Sequence, residues 1–157
     1  MKYFFLFCTM LLPAYSFEQS STHFSHSLVT AAPPEKIWSL WTDVANWNKW
    51  DDGLKTASLT GPFQAGAKGR LIPDKGPASR FRITDLIPQT SYTFKTKLPL
   101  GALYVKRTLS PEGNGTRFTH EIWFTGLSKG IFGKVLGKKY RRILPSVMEK
   151  IRELAEQ

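Results

Sequence analysis

The chain has 157 residues, 41% apolar and 22% charged, which are ordinary fractions for a single folded soluble domain. Its formal charge of +10 points to an anionic partner or surface and carries no information about fold. The one cysteine, Cys8, lies in an apolar leader, so a disulfide framework and a thiol nucleophile are both excluded from the folded part.

Met1-Lys2 is a short positive start, and Tyr3 to Leu12 is an apolar run closed by Pro13. Ala14 and Ser16 place small residues at the two positions a signal peptidase reads. The run is about half of what a bilayer span needs. Residues 1–16 are therefore expected to be a cleaved secretory signal, and the protein to be periplasmic or secreted. Residues 17–22 read as a polar, mobile lead-in, and residues 23–157 as one domain.

His23 to Thr30 has the alternation of a strand. Ala31-Ala32-Pro33-Pro34 turns the chain and opens a helix through Glu35 to Trp41, since proline is tolerated in a first helical turn. Asp43 is a candidate cap for a second short helix, Val44 to Lys49, and Asp51-Asp52-Gly53 is a turn. From there the period is two. Strands are predicted at Leu54–Leu59, Ala67–Ile72, Ser79–Ile87, Ser91–Leu98, Ala102–Leu109 and Thr116–Thr125, with short Gly- and Pro-containing turns between them. Such turns favour sequential antiparallel hairpins.

In the last thirty residues, Phe132, Leu136, Tyr140, Ile143, Val147, Ile151 and Leu154 recur at steps of three and four. They form one stripe of a long amphipathic helix, with Lys134, Lys138, Arg141, Arg142 and Arg152 on the other side. Pro145 lies inside the pattern, so a kink is expected near Arg141 to Leu144. The fold class is α+β: two short helices after the first strand, a seven-stranded antiparallel sheet, and a C-terminal helix as the only element long enough to cover its apolar face. A strongly curved sheet wrapped around one helix leaves room for a small-molecule cavity between them.

Pro33-Pro34-Glu35-Lys36-Ile37-Trp38 and Trp41 to Asp51 resemble the opening of the START-like (SRPBCC) superfamily, and within it the polyketide cyclase/dehydrase and lipid-transport family. Gly61-Pro62-Phe63 with Gly66, Gly115 to His120, and the helix with Leu144-Pro145 are similar to the same family. The resemblance implies a helix-grip fold whose cavity holds hydrophobic ligands. It does not imply a reaction.

The residues offer little support for catalysis or metal binding. His23 and His26 are three apart on a strand and face opposite sides, so no metal site and no cofactor are expected. No Gly-x-Ser-x-Gly element is present. Gly61 to Gly69 carries Ala67 where a phosphate loop needs lysine.

The strand alternation does select an interior. Phe81, Tyr92, Phe94, Val105 and Phe118 fall on inward faces, and Tyr140 falls on the helical stripe. Arg107 and His120 share those faces, and His26 shares one with Phe24 and Leu28. A buried arginine needs an anion or several acceptors. Arg107 is thus an anchor for a ligand head group, or a strand-end residue that reaches solvent or a protein carboxylate. His120 and His26 are anchors or structural histidines. The tryptophans at 38, 41, 47 and 50 read as core and as a wall of the cavity mouth.

Two functions follow as expectations: a secreted carrier of a lipid or aromatic compound, or a cyclase or dehydratase with His120 as acid–base group. A monomer is expected, and no nucleic acid, given export. The start of the terminal helix is either a docking face for an anionic membrane or a solvated basic face with Ile131 and Val135 covered by a loop. Lys129, Lys134 and Lys138 flank Ile131 and Val135, which fall off the core stripe, and the glycines at 130, 133 and 137 lie opposite and make this turn easy to distort.

Overall fold

The computed structural model describes residues 19–157; the expected signal at 1–16 and the first residues of the lead-in lie outside them. Seven strands form one antiparallel sheet: β1 (His23–Thr30), β2 (Leu54–Thr60), β3 (Lys68–Pro73), β4 (Ser79–Ile87), β5 (Ser91–Leu98), β6 (Gly101–Glu112) and β7 (Gly115–Gly126). Their spatial order is β1-β7-β6-β5-β4-β3-β2. Five hairpins therefore build the sheet from β2 to β7, and β1 returns to the far edge beside β7. Between β1 and β2 run α1 (Pro34–Thr42) and a 3-10 helix (Val44–Lys49), the two short helices read from the sequence. Register shifts at Leu54/Thr56 and Ile83/Asp85 mark bulges, which add bend and twist to a sheet that must curve round a helix.

Asp43 does not cap the 3-10 helix through a backbone N–H. Its Oδ2 accepts from the Asn46 side-chain amide at 2.7 Å instead. The 3-10 helix still sits firmly because Val44 and Trp47 are buried.

The C-terminal helix begins as α2 (Lys129–Phe132), passes through a π-helical turn at Gly133–Gly137 and continues as α3 (Lys138–Ala155). The departure from α geometry is thus at the glycines and not at Pro145, which lies within α3 with its ring exposed. Arg141, whose carbonyl loses its helical donor to Pro145, is an exposed residue like Pro145 itself, and the helix continues. Gly133 and Gly137 have a structural reason that the sequence did not suggest. A Cβ at Gly137 would lie 2.6 Å from the Ser21 carbonyl oxygen, and one at Gly133 would lie 2.8 Å from the same atom. These glycines let the helix press against the segment preceding β1, so they fix the turn rather than loosen it. Arg141 helps by donating to the Ser20 carbonyl at 2.9 Å. Gln19 is tied to Ser25 through both its amide nitrogen and its amide oxygen.

Leu144, Val147, Met148, Ile151 and Ala155 are the buried residues of α3. Each fully buried large apolar side chain among them contributes about 1.5–3 kcal/mol relative to exposure. The backbone of α3 comes close to β1 and α1 but stands off from β3, β4 and β5. The concave face opposite those strands is left for side chains and empty space. This is the helix-grip arrangement expected from the sequence.

Candidate ligand-binding site

Cross-strand register places His26, His120, Arg107 and Tyr92 opposite one another on β1, β7, β6 and β5. One polar row therefore crosses the apolar concave face. Arg107 is 4% exposed and His120 2% exposed, so neither is a strand-end residue reaching water. Among the described residues Arg107 forms no ion pair with a carboxylate. Its guanidinium carbon is 4.6 Å from the Trp47 ring centre, 4.8 Å from Trp50, 5.5 Å from Tyr92 and 5.6 Å from Phe94. This aromatic cage offsets part of the desolvation of the charge through its ring quadrupoles. One guanidinium nitrogen donates to the Tyr92 hydroxyl. Among the described residues Arg107 Nε and His120 Nε2 have no hydrogen-bond partner.

Beside this row lies a cavity of about 1320 Å³. Arg107, His120, Phe81, Phe94, Val105 and Tyr140 border it. The helix supplies Phe132, Leu136, Ile143, Leu144 and Val147 to the opposite wall. Arg80, Arg82, Lys95 and Lys97 also border the space, although they alternate away from the interior. It is therefore open at the β3–β5 end, and only part of it is enclosed.

Tyr92, Phe118 and His26 are not in the cavity wall. Tyr92 forms a layer behind Arg107, with its ring edge-on to Trp38, Trp41 and Phe63. Phe118 packs at 6.5 Å on Trp41, and His26 is half-buried next to His120 on the edge strand. Of the tryptophans, Trp47 reaches the cavity, while Trp41 and Trp50 are buried behind it.

Asp51, which the sequence places in a turn, also borders the cavity. The turn itself is present: Asp51 Oδ1 accepts from the Gly53 N–H at 2.9 Å. Burial raises the Asp51 carboxyl above its usual range, while Gly53 and the charge of Arg107 act in the opposite direction. The Tyr140 hydroxyl is pushed up to about 12, by burial first and then by the Asp51 charge. The Tyr92 hydroxyl also rises to about 12 through burial, partly opposed by Arg107. The only advance signal for Asp51 was an acid directly following an aromatic helical segment.

The polyketide cyclase / dehydrase and lipid transport model matches residues 21–156. The chain belongs to that family. No curated protein sequence matches it. Solved structures similar to it include protein MLL2253 from Mesorhizobium loti, at 18% identity and a TM-score of 0.70, covering 85% of this chain and 96% of that one. Protein NE0264 from Nitrosomonas europaea is 12% identical with a TM-score of 0.70, covering 90% and 99%. The di-domain ARO/CYC StfQ from the steffimycin biosynthetic pathway is 15% identical with a TM-score of 0.65 over 85% of this chain and 49% of its own. At these identities the likeness shows the fold alone. Membership of the polyketide cyclase / dehydrase and lipid transport family indicates a fold built to bind a hydrophobic small molecule.

The polar row of this family member sets a pH dependence. Burial holds His120 well below its usual 6.5, and the charges of Arg107 and His26 act in the same direction. A depressed histidine stabilises the fold fully above its unfolded value, and that contribution is lost as pH falls toward the folded value. Below pH about 6.5 the wild type should lose up to about 1.4 kcal/mol per pH unit through this group. Asp51 has the opposite sign, with its contribution fully present below 3.8 and lost as pH rises through its raised folded value. Comparison with His120→Gln isolates the histidine. Denaturant unfolding should show the steeper slope in the wild type between pH about 6.5 and 5; equal slopes would contradict the assignment.

Proposed function

We propose that the protein is an exported carrier of an amphipathic ligand with one acidic group. The apolar body lies between the sheet and the C-terminal helix, and the acid meets Arg107 with His120 beside it. One observation carries this reading. Among the described residues, a buried guanidinium with no ion-paired carboxylate and a buried imidazole each keep a nitrogen without a hydrogen-bond partner, and both residues border an apolar cavity. Unpaired buried charge is costly, and an anionic ligand would relieve it. Export rests on the leader at residues 1–16.

Palmitic acid and its methyl ester share a chain and differ in charge. The acid should bind at least about tenfold more tightly by calorimetric titration, given about 1.5–3 kcal/mol for a hydrogen bond to a charged group. Equal affinities would remove the anchor role of Arg107.

A second reading, a cyclase or dehydratase, is favoured by Asp51. A carboxyl of raised pKa borders the same cavity as a neutral imidazole, which gives a candidate acid and base for a dehydration. Aldol cyclisation of a poly-β-ketone thioester, with the resulting β-hydroxyl then lost as water, abolished in Asp51→Asn, would support it; no product from the wild type would sink it.

A further inference from the structure

Four large apolar side chains are exposed at one end of the cavity: Leu100 at 75%, Leu127 at 90%, Ile131 at 69% and Val135 at 66%. They come from three segments that the fold pins together. Gly101 and Gly126 are cross-strand partners, and the Gly126 backbone approaches so closely that a Cβ there would lie 2.3 Å from the Leu100 carbonyl oxygen. Ser128 Oγ donates to the Pro99 carbonyl at 2.5 Å. Leu127, Ile131 and Val135 follow at steps of four, so they continue this edge along the start of the helix.

Leu100 adds an independent observation. Its φ is 56°, in the left-handed region where glycine or asparagine would be relaxed. A leucine held there with its side chain in solvent costs both strain and exposure. Among the described residues Leu100 is not part of the core or packed against it.

The charge around this edge is of one sign. Lys129, Lys134 and Lys138 are exposed beside Ile131 and Val135. No aspartate or glutamate occurs between Glu121 and Glu149. The opposite side of the same elements borders the cavity through Leu98, Pro99, Phe132 and Leu136. Gly133 and Gly137, packed on Ser21, hold the helix so that its apolar residues divide between the cavity and the exterior.

We propose that this rim docks on an anionic lipid bilayer and that the cavity exchanges its ligand directly with that bilayer. The apolar side chains enter the interface, and the lysines meet anionic headgroups. An amphiphile then passes between bilayer and cavity along Phe132 and Leu136 without crossing bulk water. The exchange step rests on the carrier reading; the docking step does not.

Co-sedimentation with phosphatidylcholine vesicles, with and without added phosphatidylglycerol, tests it. The wild type should pellet with the anionic vesicles, and at least about tenfold more weakly with the neutral ones or at high salt. Two triple variants separate the contributions: Leu100→Ser with Leu127→Ser and Ile131→Ser, and Lys129→Glu with Lys134→Glu and Lys138→Glu. Each should lose vesicle binding at least about tenfold while keeping wild-type circular dichroism and wild-type affinity for palmitic acid in solution. Arg107→Leu should dock like the wild type. Docking is overturned if the wild type shows no preference for anionic vesicles, or if either triple variant pellets as the wild type does. Palmitic acid loaded on the wild type should move to anionic vesicles at least about tenfold faster than from the lysine variant. Equal transfer rates with docking intact would overturn the exchange step alone, and no palmitate binding in solution would instead remove the carrier reading.

Discussion

Arg107→Leu is expected to weaken binding of an acidic amphiphile by about ten- to a hundredfold, the equivalent of about 1.5–3 kcal/mol, without unfolding the protein. The two effects separate because, among the described residues, Arg107 forms no ion pair with a carboxylate, and Asp51 feels its charge without forming a salt bridge. Removing one half of a buried ion pair costs several kcal/mol, whereas a buried charge with no ion-pair partner carries an uncompensated desolvation cost that leucine removes. Leucine gives up the contacts with Trp47 and Trp50, but it also removes the orphaned Nε from the interior. The Tyr92 hydroxyl loses one partner and keeps a long contact of 3.4 Å to the Trp41 carbonyl. Stability should therefore stay within about 1 kcal/mol of the wild type, or rise. Calorimetric titration and urea denaturation on the same preparations decide the matter. A large loss of stability with unchanged affinity per folded molecule would make Arg107 a structural residue.

Trp47→Ala should have the largest effect on stability, about 3–5 kcal/mol. Trp47 is 1% exposed, and its indole N–H donates to the Trp41 carbonyl at 2.9 Å. Its ring stacks on Phe81 at 5.6 Å and lies 5.7 Å from Phe94. Truncation removes these two ring contacts and a third with Trp50 at 5.8 Å, and leaves the Trp41 carbonyl without its indole donor. It also opens the cage round Arg107, so the acidic probe should bind more weakly to the fraction that remains folded. Trp47→Phe keeps a ring but not the donor, and should fall between the two. A loss below about 1 kcal/mol for the alanine variant would mean that the cage is not packed as described.

The sheet was legible because its alternation is regular and its turns are marked by glycine and proline. β1, β4 and β5 fall where the period of two placed them, and β6 and β7 extend further into their turns. The helix was legible as a stripe, but not its irregularity. Pro145 carries the stronger local signal for a break, yet solvent tolerates its missing hydrogen bond. The π turn arises from contact of Gly133 and Gly137 with Ser21, which no local pattern encodes.

The same limit applies to the site. Strand parity is a local property, so it placed Arg107 and His120 on the inner face. It could not say which inward residues touch empty space and which touch other side chains. Tyr92 and Phe118 have the same parity as Phe94 and Val105 but lie behind α1, against Trp41. Asp51 was hidden for the converse reason. It sits in a turn with no period, and only the approach of the 3-10 helix to β2 brings it to the cavity.

Native mass spectrometry of the protein, produced with its leader and purified from the exported fraction, tests the carrier claim most directly. The predicted result is a wild-type species carrying one apolar molecule with an acidic group, and an Arg107→Leu species largely free of it. Wild type that arrives empty, or equal loading of both proteins with a neutral molecule, would contradict the account.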